Sequence, residues 1–275
     1  KNQANRKLIS NTVFLYLMTT SIQILNLLTV PYLSRVLGPT EYGQIGLALG
    51  YMAIVQIILD FGFTLYDNKE NQENKTDKCK IEYIITAVTF IKVILAVCSV
   101  WYFAILYINV FDVTLMTILQ VYLLGYLITA LLPDFYYRGM ENMKSIALRT
   151  LIVRVLFTLL IFLCVRKKED IMFVPVCFLV GSILAFIITA ADIRGKTDPF
   201  EMPGRKYVMS MVRSAFPYFT SRFASTFYQA LNVIIIGKIY GTAPEVGYYT
   251  SSDKCLSLVK MGSSPIADSY IVYVK

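Results

Sequence analysis

The sequence predicts an all-α polytopic membrane protein, and three observations predict it. The 275 residues are 56% hydrophobic and 16% charged, with a mean hydropathy of +0.59, whereas a soluble domain carries about a quarter charged residues. The apolar residues fall in long blocks rather than at the spacing of an amphipathic helix or a half-buried strand. At about 20 apolar residues per crossing, the chain has room for roughly seven or eight spans and little else. A soluble enzyme, a secreted disulfide scaffold and a disordered tail are excluded.

Taken in order, the first block runs from about Leu8 to Leu37, and Gly38-Pro39-Thr40 ends it by turn chemistry. The second, about Glu41 to Tyr66, holds one internal charge, Asp60, and the polar run from Asp67 to Lys80 that follows reads as a water-exposed loop. The third and fourth blocks, about Ile81 to Tyr107 and Val113 to Tyr136, are joined by a stub near Asn109 and Asp112. Arg166-Lys167-Lys168-Glu169-Asp170 separates the fifth (about Met143 to Val165) from the sixth (about Ile171 to Ile193). A linker from Arg194 to Lys206 leads to a seventh block ending near Tyr240. Gly241 to Gly247 turns the chain, and an eighth helix begins near Tyr248 and is cut at Lys275.

Lys and Arg residues are unevenly divided between the two sides. The N-terminal tail (Lys1, Arg6, Lys7), the loop with Lys69, Lys75, Lys78 and Lys80, and Arg138, Lys144, Arg194, Lys196, Arg205 and Lys206 fall on one side, which the positive-inside rule makes cytoplasmic. The Arg166-Lys167-Lys168 triplet on the other side violates the rule locally, beside two acidic neighbours. Net charge is +8, but its placement in loops fits membrane topology rather than nucleic-acid binding. There is no histidine, which removes imidazole bases and His-ligated metal sites. Cys79, Cys98, Cys164, Cys177 and Cys255 show no CxxC pairing and read as small hydrophobes. No metal or cofactor is expected, and no cleavable signal peptide, since the first apolar block is too long for one.

An ionisable residue at bilayer depth costs about 2.5–3.5 kcal/mol on insertion scales, so each marks a functional hypothesis. Lys92 and Arg154 fall near the middle of the third and fifth helices, and Arg149 at a depth similar to Asp60 and Asp134. The packing reading pairs Asp60 and Asp134 with Arg149, or with Arg154 or Lys92, inside one bundle. Arg213, Arg222 and Lys238 add further cations on the seventh helix. The surplus of cations over acids suggests a cavity that receives an anion.

Two helices carry matching polar stripes spaced four, three, four and three: Thr12, Tyr16, Thr19, Gln23 and Asn26 on the first, and Tyr218, Arg222, Ser225, Gln229 and Asn232 on the seventh. These faces meet protein or a water-filled cavity rather than lipid. The two helices also look like copies. Arg35-Val36-Leu37-Gly38 and Lys238-Ile239-Tyr240-Gly241 lie 203 residues apart, and each is followed by a proline, a glutamate and a glycine (Pro39, Glu41, Gly43; Pro244, Glu245, Gly247). An offset of six helices makes a parallel repeat of six-helix bundles, an architecture of transporters that bind substrate between the halves.

Several of these stretches resemble bacterial O-antigen and polysaccharide flippases: Pro31-Tyr32-Leu33-Ser34-Arg35-Val36-Leu37-Gly38-Pro39, Tyr42-Gly43, Asp60-Phe61-Gly62-Phe63, and Pro133-Asp134-Phe135-Tyr136-Tyr137-Arg138-Gly139-Met140-Glu141. Arg149, Arg154, Asn232, Gly237 and Val246-Gly247-Tyr248-Tyr249 extend the resemblance along the chain. Tyr66-Asp67-Asn68 and the Tyr137-Arg138 pair depart from the pattern. The resemblance implies the multidrug/oligosaccharidyl-lipid/polysaccharide exporter superfamily. Its members have two six-helix lobes around a cleft, and move undecaprenyl-pyrophosphate-linked oligosaccharide from the cytoplasmic to the periplasmic leaflet of the bacterial inner membrane. On that reading residues 1–200 form a six-helix lobe and 201–275 the start of a second, with the chain stopping inside its eighth helix. The expected cleft residues are Arg222, Lys238, Arg35, Gln23, Asn26, Gln229 and Asn232, with Arg154, Lys92, Arg149, Asp60 and Asp134 second. Expected partners are the lipid-linked oligosaccharide and membrane lipids, with a glycan polymerase or glycosyltransferase to be looked for on the cytoplasmic loops. The rivals are an ion-coupled multidrug exporter of the same superfamily, a membrane glycan enzyme, and an inactive fragment. The first would want acidic and aromatic pockets for cations, and the second a large outer loop or a carboxylate-rich metal site.

Overall fold

A computed structural model describes residues 2–63, 78–109, 112–134, 137, 143–193, 204–240 and 244–256. Every element there is helical: α1 (Asn2–Leu37), α2 (Pro39–Asp60), α3 (Lys78–Asn109), α4 (Val113–Ala130), α5 (Met143–Cys164), a 3-10 turn (Lys168–Met172), α6 (Phe173–Ile193) and α7 (Arg205–Tyr240). Residues 244–256 form α8. Five of these stretches are long and apolar enough to cross a membrane: Pro39–Asp60, Thr86–Ile105, Val113–Ala130, Lys144–Cys164 and Lys168–Asp192. The protein is an all-α, multi-pass membrane protein. α1 and α7 have 36 residues each, ample length to cross.

Local chemistry sets the boundaries, and several differ from the sequence expectation. α2 starts at Pro39 rather than Glu41, since proline is preorganised for the first helical turn and lacks only an N–H that would have no partner there. The preceding Gly38 has φ 84°, open to glycine. α2 stops at Asp60, six residues before the expected Tyr66, because Phe61 adopts the left-handed conformation and returns its N–H to Ile57 O at 2.9 Å. Gly62 follows at φ 74°, and residues 64–77 lie outside the described set. α4 opens on Asp112, whose carboxylate accepts from Thr114 N at 2.9 Å and Leu115 N at 3.3 Å. It ends at Ala130, not Tyr136, three residues before Pro133. α8 begins at 244, four residues before the expected Tyr248, again on a proline. The cationic triplet that breaks the charge pattern is folded locally: Asp170 accepts from the backbone N–H of Arg166 and of Lys167, both at 2.9 Å.

α2 is the hub. It packs along α7 and α4 and touches α3 and α1, while α5 joins α1 to α6 and α6 packs on α4. Leu37, Ala48, Met52, Val55, Ile118, Leu119, Ile161 and Val165 are sealed in the core. A second, smaller cluster of Phe63, Ala87, Val88, Ile91, Met211 and Ala215 ties the start of α7 to α3 and the end of α2. Val97 and Trp101 on α3, Leu163 on α5 and Ile187 on α6 point outward and are exposed, as side chains bathed in hydrocarbon are. Among the described cysteines Cys98, Cys164, Cys177 and Cys255 are free thiols, while the Cys79 side chain lies outside the described set.

The α4–α6 contact depends on Gly125, where an added Cβ would lie 2.7 Å from the Phe178 ring. Gly125→Leu is therefore expected to cost about 1–3 kcal/mol through overpacking, visible as a lowered Tm of the detergent-solubilised protein, while an unchanged Tm would remove the contact from the fold.

Candidate functional site

The ends of α2, α4 and α6 and the starts of α3, α5 and α7 share one end of the bundle, the end whose connections are rich in Lys and Arg. A cavity of about 470 Å³ lies there, lined from α2 by Gln56 and Asp60, from α3 by Lys92, and from α4 and its exit by Tyr126, Thr129 and Asp134. α5 adds Arg149, Thr150 and Val153, α6 adds Ala185, and α7 adds Arg222 and Thr226. Five of the ionisable residues singled out in the sequence thus meet in one cavity. Lys92 lies within the apolar stretch Thr86–Ile105, and Arg149 within Lys144–Cys164. These two cations fall within apolar spans, while Asp60 closes the span Pro39–Asp60.

Arg149 is the anchor. Its side chain is only 7% exposed, where an unpaired guanidinium would be costly. One terminal nitrogen donates to Asp134 Oδ1 at 2.5 Å and the other to Thr189 Oγ1 at 2.9 Å. Thr189 in turn donates to Ala185 O at 2.8 Å. This chain joins α5 to the exit of α4 and to α6, and agrees with the packing expectation for Asp134 and Arg149.

Asp60 reaches outside the first bundle: Arg222 of α7, a partner the sequence did not suggest, donates to Asp60 Oδ2 at 2.7 Å, and Asp60 engages a further neighbour as well. The pair spans 162 residues of sequence because Asp60 ends the helix that α7 packs along. Its side chains are 48% and 23% exposed, so water screens it and it is the weaker of the two bridges. Lys92 is buried at 8% exposure and also engages a neighbour. The cavity wall therefore carries three cations against two carboxylates.

The remaining expected residues lie elsewhere. Arg35 and Lys238 are exposed at the far ends of α1 and α7. Gln23 and Asn26 are half-buried on α1, where Asn26 Nδ2 donates to Gln23 Oε1 at 3.3 Å. The side chains of Thr12, Tyr16 and Thr19 lie outside the described set. On α7, Gln229 is exposed, Asn232 half-buried, and Ser225 donates to Arg222 O at 3.0 Å. Arg154 stands apart from the cavity lining, with its guanidinium 5.1 Å from the centre of the Phe157 ring. Its buried Nε has no hydrogen-bond partner among the described residues.

Sequence reasoning missed the neutral polar lining of Gln56, Thr129, Thr150 and Thr226. The signal was available: Gln56 and Asp60, and Arg222 and Thr226, are four residues apart and share a helix face. Gln56 is exposed in a helix segment that is otherwise largely buried.

Such a site can neutralise a diffuse negative charge and offer hydroxyl and amide groups beside it. A family model described as "Polysaccharide biosynthesis protein" matches residues 8–271. The chain is 25% identical over 262 residues to a protein of Escherichia coli (strain K12) named "Putative O-antigen transporter", covering 94% of this chain and 63% of that protein. It is 21% identical over 248 residues to a protein of the same name from Shigella dysenteriae, covering 89% of this chain and 61% of that protein. The chain thus spans less than two thirds of the length of these relatives. No solved structure matches. Its match to the family model over nearly its whole length, on an all-helical membrane fold, places this chain in the polysaccharide biosynthesis protein family.

Proposed function

We propose that the protein is a flippase for an undecaprenyl-pyrophosphate-linked oligosaccharide, carried from the cytoplasmic to the periplasmic leaflet of a bacterial inner membrane. The observation that carries this reading is the cavity in which Lys92, Arg149 and Arg222 outnumber Asp60 and Asp134. A pyrophosphate needs cations within the apolar layer, the first sugars need groups such as Gln56, Thr129 and Thr226, and the lipid tail stays in the bilayer. The relatives named for O-antigen transport support the substrate class. The cavity sits at the Lys/Arg-rich end, which the positive-inside rule makes cytoplasmic, with the N-terminus on that side. On this reading residues 1–200 form one lobe and 201–275 begin the second. The protein performs no chemistry, and glycan-assembly enzymes are the partners to seek on its cytoplasmic loops. A cation-exporting multidrug carrier is disfavoured because both carboxylates of the cavity already carry guanidinium partners.

On this reading the cavity cations rank above the helix-end ones. Arg222→Ala and Lys92→Met are expected to reduce surface glycan to the level of a strain lacking the gene, with membrane-inserted protein within about twofold of wild type. Lys238→Ala, outside the cavity, should leave it within a few-fold. Immunoblotting of surface glycan beside protein quantification reads this, and wild-type glycan in both cavity variants contradicts the assignment.

Asp134→Ala has a different expected outcome, because it strands the buried Arg149 guanidinium. It should cost about 3 kcal/mol and lower the yield of folded protein, whereas Asp60→Ala at the more exposed bridge should cost less than about 1 kcal/mol. Size-exclusion yield and Tm compare them, and equal yields would contradict the anchoring role of Arg149.

A further inference from the structure

The hairpin of α5 and α6 is tied at one end and presents two thiols at the other. At the cavity end Arg149 of α5 donates to Thr189 Oγ1 of α6 at 2.9 Å. Farther along, the helices approach closely at Gly181, where an added Cβ would lie 3.1 Å from Val153 Cγ1. Toward the opposite end the Cys164 and Cys177 side chains are hydrogen-bonded to each other. Cys164 is the last residue of α5 and Cys177 lies on the second turn of α6, so the contact crosses from one helix to the other.

Their surroundings give each thiol its own part in an oxidation. Cys164 is half-buried, and residues Arg166 to Glu169 just beyond it are exposed. Cys177 is only 3% exposed, so an outside reagent meets Cys164 first. The loop between them is folded rather than slack. Asp170 accepts from the backbone N–H of Arg166 and of Lys167, and Tyr32 of α1 donates to Val165 O at 2.8 Å. Two thiols already in contact need only a small shift to reach disulfide geometry.

We propose that Cys164 and Cys177 form a disulfide that closes the α5–α6 hairpin on the extracytoplasmic side. The inference rests on the orientation in the flippase reading above, which puts this end of the bundle in an oxidising compartment. The oxidant is a protein disulfide, of the class carried by thiol oxidases. The Cys164 thiolate attacks one sulfur of that disulfide, forming a mixed disulfide and releasing one thiol of the oxidant. The Cys177 thiolate then attacks the Cys164 sulfur and releases the oxidant's second thiol. The two thiols of this chain give up two electrons and two protons, and the oxidant's disulfide takes up both. The bond holds α5 against α6 at the end far from Arg149 and Thr189, so the hairpin that carries the buried guanidinium is fixed at both ends.

The first test uses the wild-type protein in membranes. Cells are quenched with acid, free thiols are blocked with N-ethylmaleimide in SDS, and peptides are analysed by mass spectrometry without reduction. A linked pair of peptides containing Cys164 and Cys177 is expected from most of the protein. Maleimide on either cysteine in most of the protein, or linkage of either to another thiol, overturns the proposal. The second test separates a bond from packing. Cys164→Ala and Cys177→Ala are each expected to lower the Tm of the detergent-solubilised protein by several degrees, and the double variant by clearly less than the sum, because both remove the same bond. Dithiothreitol should lower the wild-type Tm and leave the variants unchanged. Additive losses, or a wild-type Tm indifferent to dithiothreitol, overturn the bond. These readouts are made on the protein itself, whereas the flippase reading is tested on surface glycan, so the failure of one is distinguishable from the failure of the other.

Discussion

Holding a guanidinium inside an apolar helix bundle is the constraint on which the rest of this structure depends. Arg149 is largely buried, at 7% exposure, and the fold brings it Asp134 from the exit of α4 and Thr189 from α6. Those two bonds fix the mutual height of three helices, and that height decides where the cavity lies. Lys92 and Arg222 then face the same space from α3 and α7. With three cations against two carboxylates, the wall carries more positive than negative charge. A structural requirement and a functional electrostatic field come from the same residues.

α2 distributes the consequences along the protein. At one end it supplies Asp60 and Gln56 to the cavity, and at the other Gly43 and Gly46 to the crossing with α8. Between them Gly50 lets α7 approach, with a Cβ position 3.5 Å from Val233 Cβ and 3.6 Å from Ile234 Cγ1. One helix therefore presents a polar surface at its end and a backbone-tight surface at its start. In a membrane, where apolar burial against lipid offers little driving force, close approach through small residues is the main source of helix adhesion.

Much of the fold was legible because a bilayer imposes simple rules. The apolar blocks at Val113, Met143 and Ile171 correspond to α4, α5 and α6, since about 20 apolar residues leave few alternatives. The helix ends were less legible: the left-handed turn at Phe61 and the proline starts at Pro39 and 244 depend on backbone geometry that hydropathy does not record. For the site, depth was readable but partners were not. Arg149 and Asp134 lie 15 residues apart in neighbouring helices, near enough for loop counting, whereas Asp60 and Arg222 lie 162 apart and meet through the packing of α7. The polar stripes were weak guides because spacing places residues on a face without saying what the face meets. Gln23 and Asn26 bond to each other on α1, while Gln56, on no stripe, opens to the cavity.

The central claim is that the cavity takes a diphosphate on a lipid, and binding tests it most directly. Thermal stabilisation of the purified protein by undecaprenyl pyrophosphate should be measured beside undecaprenol, which shares the tail and lacks the charge. The account predicts a rise in Tm with the pyrophosphate, little or none with the alcohol, and loss of the difference in Lys92→Met. Equal shifts with both lipids, or a difference that survives Lys92→Met, would contradict it.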